Sequence, residues 1–231
     1  MVIDGGVGMI PIICIIGKRN AGKTYTMTKL VVELKKRGYR VATVKHSAHD
    51  FNMDQEGKDS WQYTQAGSDV TVISSPHGFA LIKKIEHDAT LSELSRSIGS
   101  DVDIILAEGF KQEKAPKIEV HRKEQGSDLI SRSEERLAIV TDEKLGLQQL
   151  ETPQYTPDDI SGLVDLIEEN YYLKKEKEDD IFLFINGEHV VLNQFVRTLF
   201  INTLSGMIAS LKRIPTLVTS IDISIRKKGE Q

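Results

Sequence analysis

The sequence predicts an α/β fold with a largely parallel sheet, followed by a small C-terminal α+β module. Residues 10–16 form an unbroken apolar run, as expected for a strand that is buried on both faces. A glycine-containing break follows, and residues 23–37 carry apolar side chains at helical spacing before a second strand at 39–45. Strand and helix patterns alternate from there to residue 171, which is typical of α/β folds with parallel sheets.

The elements between residues 45 and 171 are predicted from apolar periodicity and from the positions of glycine and proline. Strands are predicted at 70–73, 79–85, 102–107, 117–121 and 137–141, and helices at 58–66, 91–98 and 160–171. The strand at 102–107 is apolar almost throughout, so we expect it to be buried in the sheet.

The pattern changes after a run of charged residues near 173–179, which we interpret as a linker. The Asn186-Gly187 pair predicts a hairpin, an apolar helix face follows over 196–211, and isoleucines alternate at 221, 223 and 225 as in a strand. The sequence therefore predicts a main domain at 10–172 and a hairpin–helix–strand module at 180–226. A module of that size has a marginal core, so we expect it to pack on the main domain, a second subunit or a partner.

Composition excludes several classes of protein. The net charge of -4 and the pI near 5.9 argue against a nucleic-acid partner. Cys14 is the only cysteine, which rules out an intrachain disulfide and a multi-cysteine metal site. The first nine residues lack a basic segment, and the apolar stretch at 195–211 contains Arg197 and Asn202, so neither predicts a signal peptide or a membrane span. We therefore expect a cytoplasmic protein.

The break after the first strand carries the motif G-x-x-x-x-G-K-[ST]. Its residues are Gly17, Lys18, Arg19, Asn20, Ala21, Gly22, Lys23 and Thr24. In such a loop the backbone N–H groups surround phosphate oxygens, and the start of the following helix adds positive charge. Lys23 is expected to reach the β- and γ-phosphates, and the Thr24 hydroxyl to bind Mg²⁺. The predicted fold is therefore that of a P-loop nucleoside triphosphatase.

An acidic residue follows the buried strand at 102–107. Glu108 is placed where α/β sheets bind ligands, at the carboxyl end of the strand. We predict that it holds Mg²⁺ through water or polarises an attacking water, so that Lys23 and Glu108 are the candidate catalytic residues. Asp103 precedes it by five residues and is expected to cap the opposite end of the strand.

A polar loop after the second strand contains His46, His49, Asp50 and Asp54. Three interpretations are open: a switch loop that orders around phosphate and Mg²⁺, a transition-metal site, or a loop with no ligand contact. Asp54 is the candidate in this loop for a water-mediated Mg²⁺ contact, beside Thr24 and Glu108.

Several segments together resemble the MobB family of molybdopterin-guanine dinucleotide biosynthesis adaptor proteins. They are the phosphate loop at 17–24, residues 45–54, residues 57–61 with 66–67, and residues 108–111. The resemblance runs from about residue 10 to 171. It implies GTP binding, weak GTP hydrolysis, a homodimer, and a helper role beside the guanylyltransferase that attaches GMP to molybdopterin. It also implies that the phosphate loop, Glu108 and the loop at 46–54 are functional.

One departure from familiar guanine-binding proteins is the missing Asn-Lys-x-Asp motif. Asp142 follows a predicted strand in the corresponding region and is the candidate to accept hydrogen bonds from the guanine edge. Arg122 follows another strand, where it either approaches phosphate or stays exposed. The alternatives to the MobB-like function are a metal-insertion GTPase of the nickel type, an adaptor gated by nucleotide, and a small-molecule kinase that uses ATP.

Overall fold

The structure is a computed structural model. It describes residues 10–47, 54–99, 101–126, 128–146, 151–171, 173, 181, 183–186, 188–212, 215, 218 and 220–225. The strands are β1 (Ile12–Ile16), β2 (Val41–Lys45), β3 (Val70–Ser75), β4 (Gly78–Lys83), β5 (Ile104–Glu108), β6 (Lys117–His121), β7 (Arg136–Thr141), β8 (Gln154–Tyr155), β9 (Leu183–Ile185) and β10 (Glu188–Val190). The helices are α1 (Lys23–Lys36), α2 (Asp59–Gln65), α3 (Leu91–Ile98), α4 (Ile160–Asn170) and α5 (Gln194–Ala209).

A six-stranded sheet in the order β2-β5-β1-β6-β7-β8 forms the centre of the molecule. Every pairing in it is parallel, as the α/β prediction required. β1 lies between β5 and β6, and residues 13–16 of β1 are fully buried. Because the strands are parallel, their carboxyl ends share one edge of the sheet. The segments that follow β1, β5, β6, β7 and β8 therefore start from the same edge.

Helices α1 and α4 cover one face of this sheet. Their apolar sides, which include Leu30, Leu34, Leu163 and Ile167, are fully buried against it. Arg37, at the end of α1, joins the two helices by donating to Asp165, Glu168 and the Ser161 carbonyl oxygen of α4. This contact fixes the helix that begins at the phosphate loop.

The opposite face carries a smaller apolar cluster. Cys14, Ile16, Leu91, Ala107 and Phe110 form it, and α3 supplies Leu91. Burial raises the pKa of the Cys14 thiol to about 12, so this side chain behaves as a small apolar group rather than a nucleophile.

Strand β6 brings buried charges into the sheet. The Lys117 side chain is completely buried and pairs with Glu135 at 2.5 Å, while Glu119 accepts from the backbone N–H of Ile130 at 2.7 Å. Arg136 lies near the Glu119 carboxylate at 3.7 Å. Buried charges are tolerated only when paired, so these contacts tie the long connection between β6 and β7 to the sheet.

The start of β5 and the start of α3 are each held by side-chain hydrogen bonds. Asp103 lies at the amino end of β5 and accepts from the backbone N–H and the guanidinium of Arg40, as expected for a residue that caps the far end of the strand. Helix α3 begins with a capping box in which Thr90 and Glu93 exchange hydrogen bonds.

The hairpin of β3 and β4 lies outside the central sheet. Its strands pair antiparallel with each other, and Val72, Ile73, Phe79 and Leu81 are exposed on it. Phe79 is 75% exposed. An apolar surface of this kind on a hairpin is typical of an interaction site.

Some of the elements predicted after residue 180 are present. The predicted hairpin is present as β9 and β10, and Arg96 of α3 lies over the ring of Phe184 at 5.9 Å. Helix α5 follows, capped by Asn193, but its apolar side chains are largely exposed. The predicted last strand is wrong, because residues 221–225 are described without strand structure. The boundaries 10–172, 173–179 and 180–226 stay a prediction.

The short strand β8 is not among the strands predicted from the sequence, because two residues are too few to show an alternating pattern of apolar and polar side chains. Within the part of the chain that the structure describes, no helix has the length and apolar character needed to cross a bilayer.

Candidate functional site

The predicted phosphate loop connects the end of β1 to the start of α1. Gly17 packs so closely on β6 that an added Cβ would lie 2.3 Å from the Val120 carbonyl oxygen. Gly22 has a φ of 99° and immediately precedes α1. The loop therefore needs glycine at both ends: at Gly17 because a side chain has no space, and at Gly22 because the backbone φ is positive. It places the first N–H groups of α1 at the carboxyl edge of the sheet.

The Lys23 side chain folds back over this loop. Its ammonium donates to the carbonyl oxygens of Gly17 at 3.2 Å and Lys18 at 2.9 Å. Partial burial lowers the pKa of Lys23 below its usual value, while the Glu108 carboxylate opposes the shift. The ammonium is thus held at the centre of the loop, where a phosphate would replace two neutral carbonyl groups as its partner.

The structure brings Thr24 and Glu108 together. The Thr24 hydroxyl donates to Glu108 Oε2 at 3.3 Å, and β5 pairs directly with β1 so that Ile15 is opposite Glu108. A hydroxyl and a carboxylate oxygen are ligands that suit Mg²⁺, which prefers oxygen. The oxygen donors present therefore fit the ion that the motif predicts.

The backbone after Glu108 is strained. Gly109 has a φ of 103°, and Phe110, a bulky residue, has a φ of 56°. Phe110 is buried and its ring lies 5.0 Å from that of His46. Such a conformation costs free energy and is concentrated at functional sites. It is held here by packing next to the candidate Mg²⁺ ligand.

His46 is attached to the same segment. Its backbone N–H donates to the Glu108 carbonyl oxygen at 3.0 Å, and its Nε2 lies 2.8 Å from Asp88. His49 and Asp50 lie outside the described residues. Asp54 Oδ1 accepts from Ser60 at 3.0 Å, near the start of α2. The proposed Mg²⁺ role of Asp54 stays a prediction.

No group of three or more histidine, cysteine, aspartate or glutamate side chains within the described ranges is arranged to hold a metal ion. The loop at 46–54 lies only partly within these ranges, because residues 48–53 are not described.

A recess of about 440 Å³ lies on the other side of the phosphate loop. Its lining residues are Tyr25, Arg122, Asp142, Thr156, Pro157 and Asp158. Asp142, the predicted guanine contact, thus lines a cavity next to the loop. Sequence reasoning missed Tyr25 and the segment after β8, although Tyr25 directly follows Thr24 and that adjacency was visible in the sequence.

Arg122 is not simply an exposed arginine. Its Nε donates to the Ala21 carbonyl oxygen at 3.0 Å, and its Nη1 lies 3.4 Å from Asp142 Oδ2. It also limits the space at Gly22, where an added Cβ would lie 2.9 Å from Nη2. Arg122 therefore connects the phosphate loop to the recess.

A parallel sheet with this loop on its central strand defines an α/β protein of the P-loop class. A family model described as "Molybdopterin guanine dinucleotide synthesis protein B" matches residues 12–142. The chain therefore belongs to the MobB family.

Individual relatives agree with this assignment. Two proteins named "Molybdopterin-guanine dinucleotide biosynthesis adapter protein" are similar to the chain. The one from Haemophilus influenzae is 36% identical over 141 residues, which are 61% of this chain and 79% of the relative. The one from Escherichia coli is 34% identical over 173 residues, 71% of this chain and 95% of the relative.

A solved structure, "The Crystal structure of Bacillus subtilis MobB", superposes with a TM-score of 0.57 at 29% identity. It covers 72% of this chain and 99% of its own. The α/β fold is therefore that of known MobB structures.

Proposed function

We propose that this protein binds Mg-GTP at residues 17–24 and serves as an adapter in molybdopterin guanine dinucleotide biosynthesis, with weak Mg²⁺-dependent GTP hydrolysis. The observation that carries the proposal is the convergence of Lys23, Thr24 and Glu108 at one loop. The names of the relatives supply the pathway.

Each residue has a separate task in this proposal. The loop N–H groups and Lys23 bind phosphate oxygens, since a charged donor is worth more than a neutral one. Thr24 and Glu108 would hold Mg²⁺, and Asp54 is the further candidate for a contact through water. Bound Mg²⁺ supplies positive charge that neutralises the phosphates. We expect slow hydrolysis, as the resemblance to the MobB family implies, with Glu108 as the candidate to polarise the attacking water.

The experiment that tests the proposal is calorimetric titration of Mg-GTP into the wild type and Lys23→Ala. We expect the variant to lose about 10- to 100-fold in affinity, since it lacks a charged hydrogen bond to phosphate. Lys36→Ala is the matched control, because Lys36 is an exposed lysine at the opposite end of α1. Equal affinities of Lys23→Ala and Lys36→Ala would contradict the proposal.

The partners in this proposal are a second copy of the chain and the guanylyltransferase of the pathway. The exposed apolar hairpin of β3 and β4 supports a homodimer, since such a surface is costly to leave in water. Light scattering on the wild type should give twice the chain mass, and Phe79→Ser should shift it toward one chain mass at low concentration. A monomeric wild type would contradict the homodimer.

Nucleotide binding in this proposal either drives cofactor maturation or only gates docking of the partner. An in vitro maturation assay with Lys23→Ala separates the two. Loss of maturation in a partner complex that still forms supports the first, while loss of the partner complex itself supports a nucleotide-gated adaptor. We place the protein in the cytoplasm, in agreement with a sequence whose single cysteine forms no disulfide within the chain.

A further inference from the structure

The recess beside the phosphate loop is distinct from the Thr24–Glu108 site. It lies on the side of β1 where β6, β7 and β8 follow, whereas Glu108 ends β5 on the opposite side. Its walls come from the first turn of α1 and from the segments that follow β6, β7 and β8. A volume of about 440 Å³ is within the range of small-molecule sites. A ligand bound there would lie next to phosphates in the loop.

Two carboxylates line this recess: Asp158, which accepts from the Tyr25 hydroxyl at 3.1 Å, and Asp142. Its Oδ1 accepts from the Lys123 backbone N–H at 3.1 Å, and its Oδ2 faces Arg122 Nη1 at 3.4 Å. A carboxylate has about four acceptor positions, so about two remain for a ligand. The Lys123 N–H and the Arg122 guanidinium hold the pKa of Asp142 below its usual value. The carboxylate is therefore ionised and only accepts hydrogen bonds near neutral pH.

These acceptors distinguish the purine bases. Guanine presents two adjacent donors, N1–H and the 2-amino group, which match one carboxylate. Adenine presents an unprotonated N1 at the equivalent edge, which an ionised carboxylate repels. Planar groups such as the Tyr25 ring and the Arg122 guanidinium, both on the wall of the recess, stack readily on bases.

Arg122 is the residue through which the two parts of the site meet. One guanidinium nitrogen binds the Ala21 carbonyl oxygen of the phosphate loop, and another faces Asp142. The geometry points to the recess as the nucleobase site, with Arg122 as a positioning residue that sets its guanine preference through Asp142. This inference rests on the proposed function. Arg122 holds the loop and the Asp142 carboxylate in one arrangement, so the phosphates and the base are bound together.

The test compares five ligands in the presence of Mg²⁺: GTP, ITP, XTP, ATP and tripolyphosphate. ITP lacks the 2-amino donor, XTP carries an oxygen there, and tripolyphosphate has no base. Calorimetry on the wild-type protein should rank GTP above ITP and both above ATP. Tripolyphosphate separates phosphate binding from base recognition, because it has no base and its affinity depends only on the phosphate loop.

Asp142→Asn should lower the affinity for GTP by about 10- to 100-fold and leave the affinity for tripolyphosphate unchanged. It should raise the affinity for XTP, since an amide donates a hydrogen bond to the xanthine oxygen. Glu143→Gln is the matched control, because Glu143 is the neighbouring acid, pairs with Lys123 and does not line the recess. Glu143→Gln should keep the wild-type ranking.

Arg122→Ala should reduce the GTP-to-ITP and GTP-to-XTP affinity ratios by about tenfold, beyond any common loss that tripolyphosphate also shows. Lys123→Ala, whose side chain pairs with Glu143, is the control and should keep both ratios. Arg122→Lys, a milder change, should give intermediate ratios, because one ammonium cannot make both contacts.

Each contrary outcome has a distinct meaning. If Asp142→Asn keeps the wild-type ranking, the recess is not the nucleobase site. If Arg122→Ala weakens all five ligands by one common factor, Arg122 is only structural and its positioning role is overturned. If the wild type binds neither tripolyphosphate nor any nucleotide, the proposed function itself has failed.

Discussion

The substitution Gly17→Ala tests the phosphate loop without removing any charge. The new Cβ would lie 2.3 Å from the Val120 carbonyl oxygen, whereas real Cβ atoms essentially never approach below 3.0 Å. Because the obstacle is backbone, the loop or β6 must move by about 0.7 Å or more. Such a shift would misplace one or two of the N–H groups proposed to bind phosphate, each worth about 1.5–3 kcal/mol to a charged acceptor. We therefore expect a loss of about 2–4 kcal/mol, or about 30- to 1000-fold in affinity.

The assay is calorimetric titration of tripolyphosphate and GTP, together with a thermal unfolding curve. Overpacking should also lower stability by about 1–3 kcal/mol. Gly78→Ala is the control, because an added Cβ there meets nothing within 4 Å and Gly78 is not at positive φ. If Gly17→Ala binds both ligands as tightly as Gly78→Ala, the described loop geometry does not form the phosphate site.

Three other predictions follow from contacts in the structure. Arg37→Ala removes the bonds that join α1 to Asp165 and other groups of α4, and should lower the melting temperature by about 4–8 °C, corresponding to about 2 kcal/mol; an unchanged curve would refute the role of Arg37. Glu93 accepts from the Thr90 backbone N–H, which with His87 lowers its pKa to about 2. The stability that Glu93 contributes is therefore present above its ordinary pKa of 4.5 and is lost as the pH falls toward 2. Glu93→Gln should flatten the acid side of a stability–pH profile, and a profile parallel to the wild type would count against the capping box. Glu108→Gln should reduce GTP hydrolysis more than GTP binding in a phosphate-release assay, and unchanged turnover would remove Glu108 from the mechanism.

Elements with a strong local pattern were predicted closely. The helix at 91–98 and the strand at 117–121 have the predicted bounds, since a capping box marks the start of the helix, and apolar Ile118 and Val120 alternate with polar residues in the strand. The strand at 221–225 was predicted from alternating isoleucines alone. Alternation is insufficient without a neighbouring strand, and the described residues there do not form one.

In the candidate site, too, the sequence predicts a contiguous motif but not the contacts between residues that are far apart in the chain. The phosphate loop is one continuous segment, so its motif was visible in the sequence. The bond from Arg122 to Ala21 joins residues 101 positions apart, and only the parallel order of β1 and β6 brings them together. The positive φ of Phe110 was also beyond prediction, because it depends on packing against His46 rather than on residue type.

The central claim is that this MobB-family protein binds guanine nucleotide at the loop between β1 and α1. Calorimetric titration with non-hydrolysable analogues of GTP and ATP, each with Mg²⁺, tests it most directly. The account predicts clear preference for the GTP analogue and a sharp loss of affinity in Lys23→Ala. Equal binding of the two analogues, or preference for the ATP analogue, would contradict it.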